Sequence, residues 1–386
     1  MKKPLHHLHK ERYKQDPQAT YYAPGVLNLL GTHAEREGGK VLSLTHSIGI
    51  EAAVSARIDR VIQLHTGKVD GEAEALDLET LPYDTKKNEA GILAAVLRKL
   101  IHEGYDVSKG MDITLGGPLH KAMGIGYSSS LLMLFFTLVL DQNAIALSDE
   151  KRLRYASRVL RELDFPLSTP TDPLTLLYAR EGHLLYSDSK TQAFERVPFD
   201  FDQYALILLN TNRNPEHSLK SVEKRQLEVR EAFKAINQKR VIASICDLGI
   251  PEFNQLKTLI SNPTVKKRVE HVVFESDRVI QAKEAIERGD YILFSGLLEQ
   301  SHTSLRELYE VSSEELNFLA SEIEKLGALA SKLTGVGFGG TLVALYDRDD
   351  LPESFDDLKH RYQKRFHKTL ETSELKSVNG VGKVAP

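Results

Sequence analysis

A loop rich in glycine and serine, residues 124–130, leads directly into a ten-residue run that is apolar except for Thr137, residues 131–140. Such a run is far shorter than the roughly 20 residues that cross a bilayer. We therefore predict that residues 129–140 form a helix buried in a protein core, and that residues 111–115 form a strand. The loop then connects a strand to the start of a helix.

The start of a helix is a place where an anion can bind. Its first backbone N–H groups have no partner within the helix, and glycines such as Gly124 and Gly126 allow close approach to them. Ser128, Ser129 and Ser130 add hydroxyls that donate to phosphate oxygens or cap the helix. Taken alone, the pattern favours an ordinary capped helix, and the P-loop consensus Gly-x4-Gly-Lys-Ser/Thr is absent.

Length and charge limit the class of protein. The chain has 386 residues, more than one core usually holds, so we expect two domains, at residues 1–190 and 191–386. A formal net charge of −4 gives no basic surface for a nucleic-acid backbone. Neither a secretory signal nor a transmembrane segment is recognisable. We expect a cytoplasmic protein without nucleic-acid or membrane partners, and the sequence identifies no protein partner.

Cysteine and histidine content argues against disulfides and zinc. Cys246 is the only cysteine, which excludes an internal disulfide and a thiolate zinc cluster. His6, His7 and His9 lie in a charged N-terminal segment. We interpret this segment as a frayed polar terminus rather than as a metal site.

Periodicity predicts the remaining elements. Strands are expected at residues 40–44, 183–185, 204–209 and 342–346, and helices at residues 88–103, 149–163, 220–236, 265–288 and 313–333. Residues 48–62 alternate at strand period, and the acidic residues 69–85 show no clear element.

Four stretches occur in an order that points to one family. Residues 23–39 are similar to A-P-G-R-V-N-L-I-G-E-H-T-D-Y-N-x-G, and residues 124–130 match G-x-G-L-S-S-S with Tyr127 in place of leucine. Residues 301–312 are similar to S-H-x-S-L-R followed by Y-E-V-S, and residues 334–340 to T-G-A-G-F-G-G. Together these stretches resemble galactokinases and the wider GHMP small-molecule kinase superfamily over nearly the whole chain.

This resemblance implies a fold with α/β and α+β parts. An N-terminal domain similar to ribosomal protein S5 and a ferredoxin-like α+β C-terminal domain would enclose the active site in a cleft, where ATP, Mg²⁺ and a sugar meet. It also implies ATP-binding residues at Gly124, Gly126, Ser128, Ser129, Ser130, Gly335 and Gly337, sugar-binding residues at Thr32, His33 and Glu35, and magnesium ligands at Ser130 and Glu162.

The resemblance places the family's catalytic aspartate at Asp172. The spacing from Asp172 to His183, followed by Leu-Leu-Tyr-Ser-Asp, matches the family's D-Q-L…H-A-L-L-I-D. A carboxylate within hydrogen-bond reach of a sugar hydroxyl takes its proton during phosphoryl transfer. The alternative is an aspartate that only begins a turn or helix next to Pro173.

The chain departs from the family in the pocket. Val26 stands where galactokinases have an arginine beside the catalytic aspartate, and Arg36 is a nearby candidate to replace that charge. Thr32 replaces a glutamate that contacts the sugar's 6-hydroxyl in the family, and Thr169 replaces a glycine. Without that anion, and with Arg36 and Lys40 nearby, a sugar carrying a carboxylate would not be repelled.

The resemblance therefore implies a kinase that transfers the γ-phosphoryl group of ATP to the anomeric C1 hydroxyl of galactose or a related sugar. One alternative is a kinase for a variant sugar such as galacturonate, which Thr32 favours. A second alternative is a catalytically silent sensor of ATP or sugar, which Val26 and the altered pocket favour.

Overall fold

The computed structural model describes residues 3–66, 72–82, 88–163, 169, 171–213 and 219–384. Within these ranges the strands in chain order are β1 (Ala19–Leu30), β2 (Lys40–Ala56), β3 (Val61–His65), β4 (Glu74–Asp77), β5 (Met111–Gly116), β6 (His183–Asp188), β7 (Phe194–Pro198), β8 (Tyr204–Asn210), β9 (Ala330–Leu333), β10 (Thr341–Asp347), β11 (Glu371–Leu375) and β12 (Gly382–Val384). The helices are α1 (Leu5–Tyr13), α2 (Glu89–His102), α3 (Tyr127–Gln142), α4 (Asp149–Glu162), α5 (Asp172–Tyr178), α6 (Leu219–Asn237), α7 (Ile250–Leu256), α8 (Pro263–Glu287), α9 (Tyr291–Glu307), α10 (Glu314–Lys325) and α11 (Asp356–Phe366).

The first sheet is mixed and holds the strands of the N-terminal half. Its order is β12-β1-β2-β5-β3-β4, with β6 also paired to β2 and β7 paired to β6. Only β3 and β5 run parallel among the described pairs. Helix α3 is buried on nearly every side, because its apolar residues occur all around the helix rather than on one stripe. The predicted buried helix is confirmed and begins at Tyr127.

The second sheet is antiparallel and belongs to the C-terminal half. Its order is β11-β8-β10-β9. Apolar residues of α6, α8, α9, α10 and α11 form one core with the strands β8, β9 and β10. The arrangement is a sheet covered by helices, as expected for an α+β domain.

The last strand returns to the first sheet. Thr20, Tyr21 and Tyr22 of β1 pair with residues 382–384 of β12. Strand β7 likewise lies after residue 190 and still pairs in the first sheet. The domain boundary near residue 190 stays a prediction, and these two strands show that the first sheet draws on both sides of it.

Two local predictions from the sequence were wrong. The helix expected at residues 313–333 ends at Lys325, since Gly327 adopts a φ of +86° and residues 330–333 instead pair with β10 as β9. The N-terminal segment is not frayed, because it forms α1, and His9 is buried there. His9 contacts Thr114 Oγ1 and Ser55 Oγ, each at 2.9 Å, so the first sheet holds the helix in place.

The acidic segment 69–85 contains the short strand β4, although residues 67–71 and 83–87 lie outside the described ranges. Across the part of the chain that the structure describes, no helix is long and apolar enough to span a membrane. The cytoplasmic location stays a prediction.

Candidate active site

A pocket with about 380 Å³ of empty space lies where loops of both halves meet. Its described lining residues are Val26, Asn28, Thr32, Glu35, Gly124, Gly126, Thr169, Asp172, Thr334, Gly335 and Val336. Strand β1 and the loop after it, the glycine-serine loop, the start of α5 and the glycine-rich segment after β9 therefore converge. Motifs that are far apart in the sequence form one site.

The glycine-serine loop meets strand β1 at Gly126. This residue has a φ of +86°, and an added Cβ would lie only 2.9 Å from the Val26 backbone nitrogen, so a side chain has neither a relaxed backbone nor space. Gly124 has a φ of +69° as well. Helix α3 begins directly after Gly126, and no side chain caps it. Uncapped N–H groups at a helix start suit a phosphate.

The three serines of this loop have different surroundings. Ser128 is half-buried. Ser129 is fully buried and its Oγ donates to Asp172 Oδ2 at 2.9 Å. Ser130 is also fully buried, and its Oγ donates to the Pro24 carbonyl oxygen at 2.6 Å. Ser129 thus joins the glycine-serine loop to the predicted base.

Asp172 is the first residue of α5 and is only 4% exposed. Besides the bond from Ser129, its Oδ2 accepts the Thr169 backbone N–H at 3.3 Å, and its Oδ1 accepts the Thr169 hydroxyl. Burial raises the pKa of Asp172, while the bonds from Thr169 and Ser129 and the charge of Arg36 oppose that rise. A fixed carboxylate with a raised pKa is suited to accept a proton.

The glycine-rich segment of the second half contacts the glycine-serine loop. A Cβ added to Gly335 would lie 2.6 Å from the Gly124 carbonyl oxygen, so the two loops touch through their backbones. Gly337 does not line the pocket, and a Cβ there would lie 2.4 Å from the Val311 carbonyl oxygen. Gly335 is therefore placed to contact a ligand directly, and Gly337 shapes the segment that carries it.

Thr32 lines the pocket and is held from behind by the second half of the chain. The Nζ atom of Lys332, a fully buried residue of β9, donates to Thr32 Oγ1 at 2.8 Å. His271 Nε2 lies 3.0 Å from the Thr32 carbonyl oxygen. Burial lowers the pKa of Lys332 to about 8, although Glu275 and Glu35 oppose this change. A cation therefore stands directly behind the threonine.

The other two predicted sugar-binding residues are placed differently. His33 is buried outside the pocket lining, and its ring stacks on Tyr309 with centroids 4.3 Å apart. Glu35 lines the pocket, and its Oε2 atom has no hydrogen-bond partner among the described residues. Burial raises the pKa of Glu35 to about 7. A buried, unpartnered carboxyl oxygen in a pocket wall is suited to bind a sugar hydroxyl.

Neither of the predicted magnesium ligands, Ser130 and Glu162, is among the described lining residues of the pocket. Glu162 ends α4, has a half-exposed side chain and accepts from Arg98 Nη2 at 2.9 Å. The Ser130 hydroxyl already donates to Pro24, and only its lone pairs remain for a metal. Among the described residues, no group of three or more His, Cys, Asp or Glu side chains is arranged so that it could hold a metal ion. The magnesium roles of Ser130 and Glu162 stay predictions.

Sequence reasoning missed two residues behind the pocket. Lys332 is a charged residue in an otherwise weakly polar segment, two residues before Thr334 of the glycine-rich motif. This unusual position was the sequence feature that could have indicated a role for Lys332. Glu275 is fully buried and accepts from the Gly31 backbone N–H at 2.9 Å, from Ser301 at 2.7 Å and from Arg278 at 2.9 Å. No motif marks Glu275. Conversely, Lys40 pairs with Asp188 at 2.9 Å and does not line the pocket.

Two family models match this chain. One is described as GHMP kinases C terminal and covers residues 282–364, and the other is described as the galactokinase galactose-binding signature and covers residues 7–56. A galactokinase from Enterococcus faecalis is 29% identical over 356 residues, which is 92% of each chain.

Solved structures extend this similarity. The crystal structure of Lactococcus lactis galactokinase complexed with galactose has a TM-score of 0.92 at 25% identity, covering 98% of this chain and 99% of that one. The mevalonate kinase of Methanococcus jannaschii has a TM-score of 0.63 at 15% identity, covering 93% of this chain and 98% of that one. The second match concerns the fold alone.

Proposed function

We propose that this chain is an ATP-dependent sugar kinase of the GHMP superfamily. Galactokinases are the members of this superfamily that it resembles over nearly its whole length. The proposed acceptor is the anomeric C1 hydroxyl of galactose or a related sugar. The Lactococcus lactis galactokinase was solved with galactose, which supports a monosaccharide as the second substrate.

The buried carboxylate beside the phosphate loop is the observation that carries this proposal. Ser129 and Thr169 hold Asp172 in the pocket wall. In the proposed reaction the sugar hydroxyl gives its proton to Asp172. The oxygen of the sugar hydroxyl forms a bond to the γ-phosphorus of ATP. The bond from that phosphorus to the β,γ-bridging oxygen breaks, and ADP is released.

The nucleotide is proposed to bind with its phosphates at the uncapped start of α3. Gly124, Gly126 and Gly335 line this side of the pocket, and the half-buried Ser128 adds a hydroxyl. Magnesium bound with ATP would neutralise charge on the phosphate oxygens. If Glu162 is a magnesium ligand, its carboxylate must leave its hydrogen bond with Arg98 to bind the metal. The variant Glu162→Gln should then raise the magnesium concentration needed for half-maximal turnover.

Sugar-dependent ADP release tests the proposal. The purified protein, supplied with ATP and magnesium, is expected to release ADP with galactose or a related hexose. The variant Asp172→Asn should lower kcat roughly 10²–10⁴-fold, because it removes the general base. Asp112→Asn is the matched control, since Asp112 is also a buried carboxylate but lies in an ion pair with Arg57 away from the pocket. Equal loss in both variants would contradict the role of Asp172.

A sugar carrying a carboxylate, such as galacturonate, is a second candidate substrate. The Lys332 cation behind Thr32 supports it, because a positive charge next to a neutral wall favours an anion. Lys40 does not support it, since Lys40 is paired with Asp188. Thr32→Glu should lower kcat/KM for galacturonate at least tenfold, and Thr32→Ser should not. A wild-type enzyme that phosphorylates galactose and leaves galacturonate untouched would exclude this candidate.

The silent sensor is the third candidate, and the apolar Val26 in the pocket wall favours it. It predicts that ATP binds in a calorimetric titration while no hexose, uronic acid or amino sugar stimulates ADP release. Turnover with any of these sugars would exclude it.

A further inference from the structure

The described part of the pocket wall carries no positively charged side chain, although the proposed chemistry uses positive charge. Among the described residues that line it there are two carboxylates, Glu35 and Asp172, and neither a lysine nor an arginine. Phosphoryl transfer spreads negative charge over the transferring group, and enzymes stabilise it with nearby positive charge. Val26 occupies part of this wall with an apolar side chain. Besides the magnesium that would come with ATP, a protein cation placed just outside this described lining could supply positive charge.

Arg36 is fixed at this position by the backbone. It lies in a short 3-10 helix, Glu35–Glu37, that leaves the pocket wall at Glu35. The Glu35 N–H donates to the Gly31 carbonyl oxygen at 3.1 Å, and the Gly39 N–H donates to the Ala34 carbonyl oxygen at 2.8 Å. From the second half of the chain, the Ser244 hydroxyl donates to the Glu37 carbonyl oxygen. The turn that carries Arg36 is thus held from both halves.

The Arg36 side chain is largely buried and lies beside Glu35, a residue of the pocket wall. The side chain as a whole is 14% exposed, and its Nε atom lies 3.7 Å from Glu35 Oε1. Two other cations in the region have different partners. Lys332 bonds to Thr32, and Lys40 pairs with Asp188.

The charge of Arg36 reaches both carboxylates of the pocket. Burial raises the pKa of Asp172 and of Glu35, and Arg36 opposes the rise in each case. Besides burial, the groups that act on Asp172 include the hydroxyls of Ser129 and Thr169, the Thr169 N–H and the Arg36 guanidinium, and the Glu35 carboxyl interacts with it as well. Arg36 is the cation in this set.

We propose that Arg36, anchored by Glu35, is the positioning residue that supplies the positive charge of the reaction centre and keeps the Asp172 carboxylate ready to accept a proton. The proposal rests on the proposed kinase function. It assigns to the turn after β1 a role that the apolar Val26 does not fill.

Arg36→Gln tests this role through the pH profile of kcat/KM. The variant should lose roughly 10²-fold in kcat/KM at neutral pH, since it removes a fixed cation from the site. The acidic limb of its pH profile should also move to higher pH, because the pKa of Asp172 rises when the nearby positive charge is removed. Arg36→Lys should restore part of both effects. A variant with reduced activity but an unchanged acidic limb would show a merely structural role and overturn the proposal.

Two control variants separate other causes. Arg230 is an exposed cation whose charge also acts on Glu37, and Arg230→Gln should leave the rate and the profile unchanged. Burial brings the pKa of Glu35 to about 7, so Glu35→Gln shows which carboxyl produces the limb. If the limb disappears in Glu35→Gln, it does not belong to Asp172 and the proposal is wrong.

A titration of the Asp172 carboxyl that does not depend on catalysis separates the proposed role of Arg36 from the proposed kinase function. In protein labelled with ¹³C at aspartate carboxyl carbons, the Asp172 signal is assigned by its absence in Asp172→Asn. Its titration midpoint should be higher in Arg36→Gln than in the wild type, whether or not any sugar is phosphorylated. Equal midpoints would overturn the role of Arg36. An absence of sugar-dependent ADP release, with a shifted midpoint, would instead contradict only the kinase function.

Discussion

Gly126 is the residue where the glycine-serine loop, strand β1 and helix α3 meet. Its φ of +86°, and the 2.9 Å that would separate an added Cβ from the Val26 nitrogen, exclude a side chain. Gly126→Ala should therefore destabilise the fold by at least the 1–2 kcal/mol or so of a left-handed alanine, and weaken ATP binding as well. Calorimetric titration and urea unfolding measure the two effects.

Gly182→Ala is the matched control, because Gly182 has a φ of +75° with nothing within 4 Å of the added Cβ. The Gly182→Ala variant therefore has the same left-handed backbone strain as Gly126→Ala, but no steric clash of the added Cβ atom. Equal ATP affinities in the two variants would contradict the role given to Gly126.

His46 is a buried histidine whose ring nitrogens have no hydrogen-bond partner among the described residues. Burial lowers its pKa from 6.5 to about 3 in the folded protein. Below pH 6.5 the unfolded chain therefore binds a proton that the folded chain does not, and stability falls as the pH drops towards 3.

His46→Leu should accordingly raise the free energy of unfolding more at pH 5 than at pH 7.5, by about 2 kcal/mol. Urea denaturation at both pH values measures the difference. The exposed His360 provides the control variant His360→Gln, which should show no such dependence. A change in His46→Leu that is the same at both pH values would refute the assignment.

At the scale of elements, His9 is one of the residues of α1 that bond to the first sheet, together with Tyr13. His9 contacts the hydroxyls of Ser55 on β2 and Thr114 on β5. Replacing a buried partner of this kind leaves hydroxyls unsatisfied, at a cost of about 1–3 kcal/mol each. His9→Ala should lower the free energy of unfolding in urea by at least that amount. His7→Ala, at an exposed position of the same helix, should change it by less than about 0.5 kcal/mol.

The elements also show which features a sequence reveals. Helix α3 was predictable because its apolar run leaves it no exposed face. The end of α10 was not, since the pairing of residues 330–333 with β10 overrides a helical pattern and depends on residues distant in the sequence. Motifs located Asp172 and the glycines, but Lys332 and Glu275 act through contacts between α8, β9 and the loop after β1. Contacts of this kind leave no local pattern.

The whole molecule has the two-domain GHMP kinase fold that the sequence predicted. Its halves meet at Glu275, which accepts from Gly31 in the first half and from Arg278 and Ser301 in the second. Burial alone would raise the pKa of Glu275, but Arg278, His271 and Lys332 bring it to about 2. The stability it confers is therefore present above its unfolded pKa of about 4.3 and is lost as the pH falls towards 2.

Glu275→Gln should destabilise the protein by about 3–5 kcal/mol at pH 7, because it leaves Arg278 buried without its carboxylate. Urea unfolding measures the effect. Glu284→Gln is the control on the same helix, since Glu284 forms an exposed pair with Arg288 and should contribute less than about 0.5 kcal/mol. Similar losses in both variants would mean that Glu275 does not join the halves.

Strand β12 determines when the first sheet can be completed during synthesis of the chain. Its partner β1 lies near the start of the chain, yet residues 382–384 are synthesised after every described strand of the second sheet. While the chain grows on a ribosome, the outer edge of β1 therefore has no neighbour on that side, even after the second half has emerged. An edge that stays open is where a nascent chain pairs wrongly with another copy. The first sheet can therefore be completed only after all described strands of the second sheet have been synthesised.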